Sequence, residues 1–194
     1  MRSAQISRKT NETTIDLSIE LDGSGVYHID TGVGFFDHML SHVSKHGLFD
    51  LEVKAEGDLH IDAHHTVEDI GIVLGQALAQ AVGDKKGMVR FGLGMCPLDE
   101  ALVQVVMDFG GRSHLEYGLD LPTEKVGDFD SELAREFFVA LAANAGMSLH
   151  VRQLSGLNTH HILESAFKSL GRALDQATQL DPRKTDVPST KGTL

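Results

Sequence analysis

One helical segment is written twice in this chain. His64 to Ala81 reads HHTVEDIGIVLGQALAQA, and 96 residues later His160 to Ala177 reads HHILESAFKSLGRALDQA. Both copies place two adjacent histidines ahead of a glutamate, then Leu-Gly (Leu74-Gly75, Leu170-Gly171) and Ala-Leu (Ala77-Leu78, Ala173-Leu174). A repeat of this kind requires a fold made of two like halves. Two units of such length lie outside the periods and copy numbers of solenoids.

The repeat weakens upstream but continues. Gly34 to Gly47 has helical apolar spacing at Phe35, Met39 and Val43, and Ser131 to Gly146 has it at Leu133, Phe137 and Leu141. Each precedes a short strand-like segment, Asp50 to Lys54 and Met147 to Arg152. Thr13 to Leu21 alternates apolar and polar residues as a half-buried strand does, and Ala101 to Phe109 is a matching β-rich run. Each half therefore reads strands, helix, strand, helix. The expected architecture is α+β: two sheets, each covered on one face by two helices, related by a pseudo-twofold. The expected segments are 1–86 for the first half, 87–183 for the second and 184–194 for a tail. The polar, glycine-flanked Gly83 to Gly87 marks the join.

Composition narrows the class. A chain of 194 residues can bury a sizeable core. No apolar run reaches the roughly 18 residues of a membrane span, and Met1 to Asn11 has no apolar signal-like stretch. A single cysteine, Cys96, rules out an internal disulfide framework and fits a reducing, cytoplasmic setting. The net charge of -11 argues against non-specific nucleic-acid binding.

The repeated motif carries chemistry. On a helix, position i+4 lies over position i, so Glu68 can join His64 and Glu164 can join His160. Each second histidine, His65 or His161, points about 100° away, so one helix can serve two sites. Further ligands are expected from the upstream helices: His38, and Glu136, which aligns with it at an offset of 98. The offset differs by two residues from that of the motif, which places a small indel between. A further histidine comes from His42, His46 or His150, with His46 favoured on the substrate side. Imidazole and carboxylate ligands without thiolate suit Mn, Fe, Co or Zn.

In these residues and in the segments around them, the chain resembles the imidazoleglycerol-phosphate dehydratase family of histidine biosynthesis. The resemblance rests on Asn11-Glu12-Thr13, GFFDHML at Gly34 to Leu40, DAHHTVED at Asp62 to Asp69, LHVRQLSGLNTHHILESAFK at Leu149 to Lys168, and Pro188-Ser189-Thr190-Lys191-Gly192. It implies a lyase that removes water from imidazole glycerol phosphate to give imidazole acetol phosphate. It implies two Mn(II) ions per active site, one held by His38, His65, His160 and Glu164, the other by His64, Glu68, His161 and Glu136. In some family members the Glu136 position is histidine. The resemblance also implies a homo-oligomeric cage of 24 subunits with active sites between subunits.

The reaction needs an acid and base, for which the resemblance marks Glu12, with Glu164 beside the ions. The proton to be removed is on a carbon with no adjacent carbonyl, so the imidazole ring must act as the electron sink, held as an imidazolate between the ions. The phosphate needs cations, and Arg90, Arg112, Lys168 and Lys191 match the family's substrate contacts. Ser189, Thr190 and Gly192 add hydroxyls and backbone N–H groups. On the residues alone a dinuclear hydrolase and a metal-storage protein also fit the ligands. The first needs ions only about 3.5–4 Å apart, and the second leaves the arginines and the tail without a role.

Overall fold

The computed structural model describes residues 2–194. Two four-stranded sheets and four long helices account for most of the chain. The first half supplies β1 (Ser3–Lys9), β2 (Thr13–Glu20), β3 (Tyr27–Asp30), α1 (Gly34–Gly47), β4 (Asp50–Gly57) and α2 (His64–Val82). The second supplies β5 (Phe91–Leu98), β6 (Ala101–Asp108), β7 (His114–Gly118), α3 (Leu133–Ala145), β10 (Ser148–Ser155) and α4 (Thr159–Thr178). A small hairpin, β8 (Lys125–Val126) with β9 (Phe129–Asp130), is inserted before α3.

The sheets have the same plan. Their strand orders are β1-β2-β4-β3 and β5-β6-β10-β7. In each, the last pair is parallel and is joined through a helix, β3-α1-β4 and β7-α3-β10. The other pairs are antiparallel. Alternation decides which face is covered. Ile15, Leu17 and Ile19 of β2 and Val103, Val105 and Met107 of β6 point into the core. α2 lies on β1 and β2, α4 lies on β5 and β6, and α1 and α3 lie against β3 and β7. The duplicated α+β plan is thus observed as the sequence predicts it.

The halves join through their helices. α1 packs on α4 and α2 packs on α3, so each contact pairs a helix of one half with a helix of the other. The repeated glycines make the close approach. A Cβ on Gly75 would stand 2.9 Å from the Leu141 carbonyl oxygen, and one on Gly171 would stand 2.7 Å from that of Val43. Around this junction Phe137 stacks on Phe167 with centroids 5.3 Å apart and meets Phe36 edge-on at 5.4 Å.

The two helices that open on paired histidines begin alike. Asp62 Oδ1 accepts from the His64 backbone N–H at 2.8 Å, and Asn158 Oδ1 accepts from that of His160 at 2.9 Å. Both acceptors satisfy N–H groups that a helix start leaves without partners. The two-residue offset falls just upstream: six residues separate β4 from His64, and four separate β10 from His160.

Replacing either repeated glycine should loosen the join. Gly171→Ala sets a methyl group against helix backbone that cannot yield without moving α1, so we expect a loss of about 1–3 kcal/mol. Urea denaturation would register this, and an unchanged midpoint would contradict the close-approach account.

Candidate metal centre

α1 and α4 face each other with a row of polar side chains on each. His38, His42 and His46 rise along α1 at intervals of four, and His160, Glu164 and Lys168 rise along α4 in the same way. His38 Nε2 lies 3.2 Å and His160 Nε2 3.1 Å from Glu164 Oε2. Among the described residues these three form the one group whose ligand atoms all lie within 4.8 Å of one another. Two come from the repeated motif and one from the other half. Imidazole and carboxylate donors in one partly open cluster, without thiolate, suit a divalent first-row ion such as Mn, Fe, Co or Zn.

Glu164 is held as a carboxylate. Its burial works against charge, but Lys168 Nζ at 2.6 Å, together with His42 and His160, outweighs that and brings its pKa down to about 2. His42 Nε2 lies 3.3 Å from Glu164 Oε1 and 3.2 Å from His38 Nε2. Burial pushes His42 down to about 4 despite the pull of Glu164, so it is neutral near pH 7. Lys168 is therefore the permanent positive charge facing this carboxylate. His46 stacks on His42 at 5.7 Å, and burial first, then Lys168 and Arg172, lower its pKa.

The counterpart set has more exposed acids. His64 Nε2 and Glu68 Oε2 stand 4.0 Å apart on the exposed start of α2. Glu136 lies on α3, which packs against α2, and its carboxylate meets Arg135 at 3.2 Å. Each second histidine has acids of its own. His65 Nδ1 lies 2.9 Å from Asp58 and its Nε2 3.7 Å from Glu12. His161 Nδ1 lies 2.7 Å from Glu100 and its Nε2 3.9 Å from Asp99. These carboxylates raise the pKa of both rings, led by the hydrogen bonds that Asp58 and Glu100 accept. Within one chain His65 thus stands outside the His38, His160 and Glu164 group.

A separate cleft of about 800 Å³ gathers much of the expected phosphate set. Arg90, Arg112, Ser189, Thr190 and Lys191 line it together. Gly192 adjoins them and donates its N–H to the Ser189 carbonyl at 3.0 Å. The tail runs beside residues 87–90: Gly87 N–H donates to the Asp186 carbonyl and Arg90 donates to that of Pro188 at 2.7 Å. Arg90 also grips Asp108 through Nε and a terminal nitrogen at 2.6 and 3.0 Å, so its whole guanidinium is engaged within the chain. Lys168 is not in this cleft; it sits with Glu164. Sequence reasoning passed over Asp58, Asp99 and Glu100, since they lie in turns whose spacing from the motif has no period.

The comparisons agree on one family. The family model for imidazoleglycerol-phosphate dehydratase (IGPD) matches residues 31–174. A protein of that name from Desulforamulus reducens is 61% identical over 193 residues, covering 100% of this chain and 98% of the relative. One from Dinoroseobacter shibae is 59% identical and covers both chains completely. Among solved structures, the Staphylococcus aureus imidazoleglycerol-phosphate dehydratase aligns with a TM-score of 0.82 at 42% identity, covering 92% of this chain and 98% of that one. IGPD from Pyrococcus furiosus aligns with a TM-score of 0.85 at 36% identity, covering 97% and 100%.

The state of Glu164 can be read from stability. Its folded pKa of about 2 lies below the ordinary 4.5, so the unfolded chain binds the proton more readily. The stabilisation is complete above about pH 4.5 and is lost as pH falls through about 2. In metal-free protein, the gap in denaturation midpoint between wild type and Glu164→Gln should shrink across that window. A gap independent of pH would contradict the ion pairing.

Proposed function

The chain belongs to the imidazoleglycerol-phosphate dehydratase family, and on that footing we propose that it dehydrates imidazole glycerol phosphate to imidazole acetol phosphate in histidine biosynthesis. The observation that carries the metal-dependent reading is the convergence of His38, His160 and Glu164 across the two halves. In this reading His38, His65, His160 and Glu164 hold one Mn(II), and His64, Glu68, His161 and Glu136 hold the other. Ions held by these residues would supply Lewis acidity to the substrate's imidazole ring, favouring its imidazolate form as the electron sink. His65 and His161 lie apart from the clustered ligands of their own chain, which supports ligand sets completed between subunits. The assembly proposed is a homo-oligomer, a cage of 24 subunits, in the cytoplasm. Among the described residues no helix is long and apolar enough to cross a membrane.

The chain's own residues account for the rest of the chemistry. The substrate must lose a proton and a hydroxide from neighbouring carbons, and the enol so formed becomes the ketone. Glu12 stands in the β1–β2 turn with its carboxylate beside His65 and open to solvent, as a group that exchanges protons must be. Arg112 and Lys191 neutralise the phosphate, the hydroxyls of Ser189 and Thr190 accept a place around it, and Arg90 fixes the tail while adding charge. Lys168 and His46 keep the Glu164 carboxylate and the neighbouring space set for the substrate.

Incubation of Mn(II)-loaded protein with imidazole glycerol phosphate should yield the ketone, and chelation should abolish the reaction until Mn(II) is returned. Full activity in protein shown to be metal-free by elemental analysis would refute the metal-dependent reading. Lys191→Ala should raise KM by about 10- to 150-fold, the equivalent of roughly 1.5–3 kcal/mol for a hydrogen bond to a charged group. Its fold and metal content should stay as in wild type. Unaltered kinetics would show that the tail does not reach the phosphate.

A further inference from the structure

The second histidines of the two motifs make the same contact with acids of different origin. His65 Nδ1 meets Asp58 Oδ2 at 2.9 Å, and His161 Nδ1 meets Glu100 Oε2 at 2.7 Å. Asp58 is the first residue after β4. The first residue after β10 is Gly156, so duplication has not copied the acid. A side chain at Gly156 would be strained, for its φ is +141° and a Cβ would stand 2.6 Å from Ile162 Cγ1. Glu100, from the β5–β6 turn, occupies that role. Its Oε1 accepts from the Leu157 and Asn158 backbone N–H groups at 3.1 and 2.9 Å, which leaves Oε2 for the histidine.

Two unrelated acids reaching one ring atom point to the contact itself as the purpose. We propose that Asp58 and Glu100 are positioning residues that hold His65 and His161 as Nδ1–H tautomers, each with Nε2 free to bind a divalent cation. This rests on the metal-dependent reading above. An anionic acceptor at Nδ1 fixes ring rotation, selects the tautomer and makes Nε2 more basic. Packing does not do this work here, because the two side chains are 33% and 29% exposed. Asp58 has no competing side-chain partner: its Oδ1 is buried and unpartnered, and Oδ2 meets the ring. Glu12 and Asp99 stand near the two Nε2 atoms, on the side where a cation would sit.

The test uses full-length protein, metal-free, as wild type, Asp58→Asn and Glu100→Gln. An amide is a weaker acceptor than a carboxylate and also offers an NH₂ donor to Nδ1, so it releases the ring from the Nδ1–H form. Glu100→Gln keeps an oxygen for Leu157 and Asn158, so the start of α4 is retained. NMR of ¹⁵N-histidine-labelled protein at about pH 9, above the ordinary imidazole pKa, reads the tautomers. Single His65→Gln and His161→Gln variants assign the signals. Wild type should show both rings as Nδ1–H, and each amide variant should convert one ring to Nε2–H. Calorimetric titration with Mn(II) alone should show one class of site weakened about 10- to 100-fold in each variant, with wild-type circular dichroism. Wild-type rings in the Nε2–H form, or folded variants that bind Mn(II) as tightly as wild type, would overturn the proposal. If wild type binds no Mn(II), it is the metal-dependent reading that fails. The wild-type tautomers then still decide the positioning role, as they do if a variant does not fold.

Discussion

Backbone contact between helices of opposite halves is the constraint from which the rest follows. At Gly75 and Gly171 the absence of a side chain lets α2 settle on α3 and α1 on α4. The second contact brings His38 of one half against His160 and Glu164 of the other. A larger residue at Gly171 would push α1 away from α4, and imidazole nitrogens now about 3 Å from a carboxylate would lose their convergence. The fold's join and the ligand cluster are thus parts of one packing solution.

The cluster also shows how charge is managed around Glu164. Glu164 has Lys168 as a fixed partner, beside His42, which burial keeps neutral near pH 7, and His46, whose pKa burial lowers. A neutral imidazole offers a lone pair, and an ionised carboxylate offers charge, which together are what a divalent cation requires. The opposite set on α2 and α3 has its acids more open, Glu68 at 45% and Glu136 at 31% against 11% for Glu164.

Much of the core fold was legible in the sequence because it is periodic. The four long helices and the central strands β2, β4, β6 and β10 each show a regular apolar pattern, and the repeat places them in pairs. The outer strands were not legible. β5 reads FGLGMCPL, whose glycines suggest a loop; Gly92 and Gly94 instead let the strand lie on the carbonyls of Ala173 and Ser169. The repeated HHxxE pattern marked the α4 ligands, and alignment of the halves marked His38. Asp58 and Glu100 left no such trace, since a loop and a hairpin turn reach the histidines only through the fold. The tail was legible through family resemblance alone, and its course along residues 87–90 depends on backbone hydrogen bonds that composition does not reveal.

The central claim is that the doubled motif holds two ions through ligands drawn from both halves. Anomalous diffraction at the manganese absorption edge, from crystals of the Mn(II)-loaded assembly, tests it most directly. The account predicts two peaks per chain. One lies among His38, His160 and Glu164 with His65 completing it, and the other lies among His64, Glu68, His161 and Glu136. Peaks located elsewhere, or a single peak serving one motif, would contradict it.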